Sequence, residues 1–149
     1  MKFEKLSTEM VFRTQTYKVT KENIYKFALE FDPQFMHVDE HKAKKTIFNS
    51  IIASGLHTLS ISWKLWVELD LIGEDVIGGV GMENVKFIAP VFPEDELRVE
   101  VQIIEKREHP KKHDRGYFTI VLKTYNQNSK LVLTMEVLGL VKRNTTLVN

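Results

Sequence analysis

Ser54-Gly55-Leu56-His57-Thr58-Leu59-Ser60-Ile61-Ser62-Trp63-Lys64-Leu65-Trp66-Val67-Glu68-Leu69 is the stretch on which the fold turns. Ser54 is an N-cap residue type, so the helix it opens is predicted to run to about Leu69. Leu56, Leu59, Ile61, Trp63, Leu65, Trp66 and Val67 fall on nearly every side of that helix. A helix that is apolar almost all round is usually a buried one. In a chain of 149 residues, a long buried helix needs other elements to wrap it.

The second half of the chain supplies the wrapping. From Leu97 to Ile104 apolar and polar residues alternate, with Leu97, Val99, Val101 and Ile103 on one face and Arg98, Glu100 and Gln102 on the other. That period of two is the signature of a half-buried strand. Tyr117 to Tyr125 alternates likewise, and Leu131 to Lys142 makes a third long strand. The turn cluster Asn126-Gln127-Asn128-Ser129 joins the last two. Val85 to Pro90 reads as a further strand. The expectation is an α+β domain, a curved antiparallel sheet wrapped around a long central helix.

Upstream of the helix, Phe12 to Val19 reads as a short strand, enriched in Thr, Tyr and Val. Thr20 stands where an N-cap belongs, and Ile24, Phe27, Ala28 and Phe31 follow at helical spacing, so a helix is predicted over Lys21 to Phe31. Asp32-Pro33 ends it, because a residue before proline is disfavoured in the α region. Asp39 caps a second short helix through Lys44.

Composition bounds the function. One domain over residues 1–149 is expected, long enough to bury about two-thirds of its unfolded surface. The chain is 43% hydrophobic and 28% charged, an ordinary globular mix. Its 21 basic residues nearly balance 20 acidic ones, which argues against a nucleic-acid binder or a polybasic membrane binder. Cysteine is absent, so disulfides, thiolate nucleophiles and cysteine-based zinc sites are excluded. That absence fits a reducing, cytoplasmic compartment. The opening MKFEKLSTEMVF lacks the apolar core of a signal peptide, and no apolar run is long enough to span a bilayer.

The chemistry concentrates between Phe31 and Thr58. Asp32 and His37 lie five residues apart, across a proline, in a segment with few other polar groups. A turn there brings carboxylate and imidazole towards one point, a pairing suited to general acid–base work on a water. The same residues also fit a helix stop and a packed polar side chain. Ser54-Gly55 offers free N–H groups at a helix start, and glycine lets a ligand approach the backbone closely. That pair reads equally as an oxyanion hole or as an ordinary cap. His37, Asp39 and His41 form an H-x-D-x-H run, a weak metal signal without a further ligand, and no metal is expected. The charged segment EKREHPKKHDRG, residues 105–116, fits a solvated hairpin tip or a landing patch for phosphates built from Lys111, Lys112 and Arg115 with Lys106 and Arg107.

Several of these residues also carry a resemblance. The run Asp32-Pro33-Gln34-Phe35-Met36-His37-Val38-Asp39, then Phe48, then Ile52-Ala53-Ser54-Gly55-Leu56-His57-Thr58, resembles the hydratase motif of MaoC-like proteins. Val85-Lys86-Phe87-Ile88-Ala89-Pro90-Val91, Pro93-Glu94-Asp95-Glu96-Leu97 and Asn126 extend the likeness over nearly the whole chain. That family includes the (R)-specific enoyl-CoA hydratases and has the hot-dog fold. The resemblance implies hydration of trans-2-enoyl-CoA thioesters, or the reverse dehydration of 3-hydroxyacyl thioesters. It implies that Asp32 and His37 activate the water, that the Gly55 N–H serves the thioester carbonyl as the oxyanion hole, and that Ser54, His57 and Trp63 bind substrate.

No cofactor is implied beyond the coenzyme A carried by the substrate, whose phosphates would meet Lys111, Lys112 and Arg115. Acyl carrier protein is the other carrier the family uses. A homodimer, or a higher assembly of dimers, is expected, because hot-dog sheets pair edge to edge and an isolated sheet has edges to cover. One departure stands out: a serine of the well-studied hydratases is replaced by Trp63. Two other readings follow from the same likeness. A hot-dog thioesterase would need a carboxylate near the central helix, and only Glu68 and Asp70 lie late in it. A non-catalytic acyl-thioester-binding subunit fits the missing serine.

Overall fold

The computed structural model of the chain describes residues 1–145. The last four residues of the expected 1–149 domain lie outside the described residues. The central helix α4, Gly55–Glu68, begins one residue after its cap: Ser54 Oγ accepts the Leu56 N–H at 3.2 Å. Helix α1 spans Lys21–Phe31 and is capped by Thr20, whose hydroxyl accepts from the Asn23 N–H. Two single-turn helices follow, α2 at Phe35–Val38 and α3 at Glu40–Ala43, the latter capped by Asp39.

Four strands dominate the second half: β3 (Val76–Phe87), β4 (Glu96–Glu108), β5 (Arg115–Tyr125) and β6 (Leu131–Lys142). All pairings are antiparallel, in the order β1-β4-β5-β6-β3, with β1 at Val11–Arg13. Strand β2, Tyr17–Lys18, also pairs with β4. The alternation does what it predicts. Leu97, Val99, Val101 and Ile103 of β4 are buried, as are Phe118, Ile120 and Leu122 of β5 and Leu133, Met135 and Val137 of β6. They share one core with Ile61, Leu65 and Trp66 of α4. A fully buried side chain of this size contributes about 1.5–3 kcal/mol by leaving water. One buried polar pair crosses this layer: Ser62 Oγ lies 2.6 Å from Thr124 Oγ1.

Three expectations are corrected. The strand expected at Phe12–Val19 is two pieces. Between them the Thr14 hydroxyl takes the Val99 N–H at 2.9 Å and so replaces a backbone acceptor of the ladder. Of the strand expected at Val85–Pro90, only 85–87 is strand, the end of the longer β3, and 88–90 lie beyond it. Gly78, Gly79 and Gly81 hide its first part, because glycine is depleted in strands. The helix is not buried all round. Leu56, Ser60, Lys64 and Val67 form an exposed stripe three to four residues apart.

Candidate active site

Three elements meet at the N-terminal end of α4. Helix α1 stops at Phe31, and Asp32 follows with extended φ −152° and ψ 73°. Pro33 prevents further helix. The single turn α2 then carries His37 back towards the carboxylate, leaving His37 Nε2 3.4 Å from Asp32 Oδ2. His37 is 6% exposed. Its Nδ1 lies 2.6 Å from the Ile52 carbonyl oxygen. A carbonyl only accepts, so Nδ1 carries the proton and donates it. In the neutral form of the ring the basic nitrogen is then Nε2, and it faces Asp32. Two acceptors cannot bond each other. A donor placed between them, such as a water, satisfies both.

Asp32 is held on both oxygens. Oδ2 accepts the Ser54 hydroxyl at 2.6 Å, and Oδ1 accepts the Gln34 side-chain amide at 2.8 Å. The Ser54 bond first, then the Gln34 bond, lower its pKa below the ordinary 3.8 against the opposing effect of burial. Gly55 is the first residue of α4, where an N–H has no intrahelical acceptor. A Cβ built on it would lie 2.7 Å from the Phe87 ring, so the end of β3 sits directly over the helix start. His37 and Gly55 both line a cavity of about 410 Å³, walled by Phe48, Ile52, Phe87 and Val91. Its size suits a small organic ligand.

The structure thus brings Asp32, His37, Ser54 and Gly55 together, and it separates the other expected site residues from them. The Ser54 hydroxyl is turned to Asp32 rather than into the cavity. His57 points away from the cavity. Its ring stacks on Phe27, centroids 4.5 Å apart and planes 6° from parallel. Trp63 lines a different, apolar cavity of about 260 Å³ at the far end of α4, with Trp66, Phe118 and Ile120. Helical spacing explains both placements: with apolar residues on nearly every side of α4, the sequence does not say which face meets which cavity.

Lys111, Lys112 and Arg115 stand at the tip of the β4–β5 hairpin. Arg115 pairs with Lys142 at one end of β6, while Val132, at the other end, lines the cavity. At about 3.3 Å per residue, the tip and the site lie roughly 30 Å apart within one chain. Arg115 also binds the carboxylate of Asp114. The tip turn is built on His109, whose Nδ1 accepts the backbone N–H groups of Lys111 and Lys112. Asp39, the middle residue of the H-x-D-x-H run, spends its carboxylate on the Lys42 N–H as the cap of α3. Gln34 and Phe87 are site residues the sequence reading did not assign. Both lie in stretches that carry the family likeness, which was their only sequence signal.

The buried His57 makes stability pH-dependent. Its Nδ1 is buried without a hydrogen-bond partner among the described residues, and burial lowers its pKa from 6.5. The unfolded chain therefore binds the proton more readily. The stability that comes from burying the neutral ring is complete above about pH 6.5 and is lost as the pH falls below it. His57→Phe keeps the stack on Phe27 and removes the titration. Melting temperatures between pH 8 and pH 5 should fall less steeply in His57→Phe than in the wild type, and equal slopes would refute this assignment.

Among the described residues no helix is long and apolar enough to cross a membrane. The family model of the MaoC like domain matches residues 3–122. The chain is 48% identical over 143 residues to the uncharacterized Bacillus subtilis protein YdeM, covering 96% of this chain and 100% of that one. Among solved structures, a MaoC-like dehydratase from Rhodospirillum rubrum is 32% identical with a TM-score of 0.89, over 97% of this chain and 98% of its own. An Archaeoglobus structure described as a monoamine oxidase regulatory protein is 31% identical with a TM-score of 0.89, over 97% and 95%. An (R)-hydratase from Pseudomonas aeruginosa, 20% identical, shares the fold at a TM-score of 0.71, over 99% of this chain and 93% of its own. The sheet-over-helix arrangement is the hot-dog fold.

Proposed function

The chain belongs to the MaoC-like domain family, and from that premise we propose that it hydrates trans-2-enoyl thioesters to (R)-3-hydroxyacyl thioesters, or dehydrates them in reverse. The observation that carries this reading is the Asp32–His37 pair, 3.4 Å apart, with the tautomer set by the Ile52 carbonyl. A water between the two loses a proton to His37 Nε2 as its oxygen bonds to the β-carbon. The π electrons of the double bond move towards the thioester carbonyl, and the Gly55 N–H stabilises the enolate oxygen. The proton held on His37 returns to the α-carbon, so one water has added across one double bond. Asp32 stays ionised throughout, orienting the water and stabilising the transient imidazolium. Coenzyme A and acyl carrier protein both remain carriers in this proposal.

The test is loss of enoyl absorbance on adding crotonyl-coenzyme A, with chiral analysis of the product. Turnover to the (R) product supports the reading. No turnover across short and medium chains overturns it, and release of free thiol would mark a thioesterase instead. For the thioesterase reading, the acids late in the central helix stand away from this site. Glu68 is bonded to Lys64, and Asp70 lines the other cavity.

The working unit in this proposal is a homodimer joined through β3. This strand is one edge of the sheet, and Val76, Ile77, Val80, Met82 and Phe87 on it are exposed. A long apolar edge of that kind needs covering. A second copy is also what a phosphate contact at Lys111, Lys112 and Arg115 requires, given their distance from the site in one chain. Light scattering should give twice the mass of one chain, and Val80→Glu should shift it towards one. A monomeric wild type at micromolar concentration would refute the dimer.

A further inference from the structure

We propose that Ser54 is a positioning residue for this reaction, its hydroxyl holding the Asp32 carboxylate so that Oδ2 stays opposite His37 Nε2. The inference rests on the hydration reading above. Ser54 is 1% exposed. Its Oγ lies 2.6 Å from Asp32 Oδ2 and 3.2 Å from the Leu56 nitrogen. The Leu56 N–H donates into one lone pair of Oγ. The hydroxyl proton is therefore free for the carboxylate, which can only accept. The terminal torsion of an aspartate is broad when nothing restrains it. Here the part-buried Ser54 bond fixes one oxygen, and the exposed Gln34 bond fixes the other.

Ser54 does more than restrain a torsion. It is the cap of a helix of 14 residues, so the partial positive charge of the helix start reaches Asp32 through its polarised hydroxyl. The carboxylate is thereby kept anionic. Without the hydroxyl, Oδ2 loses the bond that fixes it opposite His37 Nε2, and the carboxylate is free to turn away from the position for a water between them. The Ser54 hydroxyl is committed to Asp32, so its effect on the reaction runs through the carboxylate.

The test compares Ser54→Ala, Ser54→Gly and Ser54→Thr. Glycine is nearly as good a helix cap as threonine, so the glycine variant keeps a folded protein in hand if the alanine variant melts. Alanine and glycine should lower kcat about 10- to 100-fold, the effect of losing a hydrogen bond to a charged group, with KM within about twofold of wild type. The Asp32 carboxyl, followed by carbon NMR, should titrate at higher pH in both. Threonine should restore both properties. Wild-type kcat in the alanine and glycine variants, an unmoved Asp32 titration, or an equal loss in all three overturns the proposal. A wild type inactive on every enoyl thioester overturns the reaction reading instead. The Asp32 titration, which needs no substrate, then still decides whether Ser54 holds the carboxylate.

Discussion

Replacing His37 by alanine should cut crotonyl-coenzyme A hydration by about 10²–10⁴-fold, the range for losing a general acid–base group. Asp32→Asn should fall in the same range. The asparagine keeps the shape of the side chain and its acceptor towards Ser54, but loses the negative charge that faces Nε2. Neither loss should come from unfolding. His37→Ala leaves the Ile52 carbonyl without its donor, a cost of about 1–3 kcal/mol. Typical domains have about 5–15 kcal/mol to lose. Circular dichroism melts of both variants check this, and a melted variant would void its kinetic result. The pH profile separates the two roles. Asp32, held below its ordinary value by Ser54 and Gln34, remains ionised from pH 5 upward. It should contribute no limb to kcat/KM between pH 5 and 9.

The second large effect is expected at Gly55, where two substitutions separate a backbone group from a side chain. Gly55 is the first residue of α4, a position that tolerates proline because its N–H has no intrahelical role. The preceding Ser54 has φ −56° and ψ 140°, the conformation a residue before proline prefers. Gly55→Pro therefore removes the N–H while the helix can keep its start. Both Gly55→Pro and Gly55→Ala place a Cβ against the Phe87 ring, which is exposed and must swing aside. The difference between them is then at the nitrogen, where the proline ring methylene replaces the N–H. Proline should fall about 10²–10³-fold below alanine in kcat, the effect of one oxyanion donor. Equal activities would remove Gly55 from the mechanism.

Much of this site was legible because its parts are local. The caps Thr20, Asp39 and Ser54 act over two or three residues, and each was readable from residue type and position. The period-two strands β4, β5 and β6 announced both their existence and their buried face. Contacts distant in sequence were not legible. The bond from Ser54 to Asp32 crosses 22 residues, so nothing near either residue foretells it. The same holds for Phe87 over Gly55, which depends on where β3 ends. His57 stacks on Phe27 and Trp63 lines the second cavity, placements the sequence did not foretell because apolar residues on nearly every side of α4 give little compass. Strand β3 was shortened because its glycines carry neither alternation nor side chain.

The Ser54 hydroxyl belongs to two traits at once, and this constrains how the lineage can vary. Asparagine and aspartate are the commonest other helix caps. A change to aspartate would set a second negative charge beside Asp32. A role in positioning Asp32 would confine drift at position 54 to side chains that both cap and donate, however neutral the helix alone would find the alternatives. A programme that selects for heat resistance by improving helix caps would meet the same trade between endurance and turnover here. Positions 20 and 39, whose caps touch no reacting group, are open to such improvement.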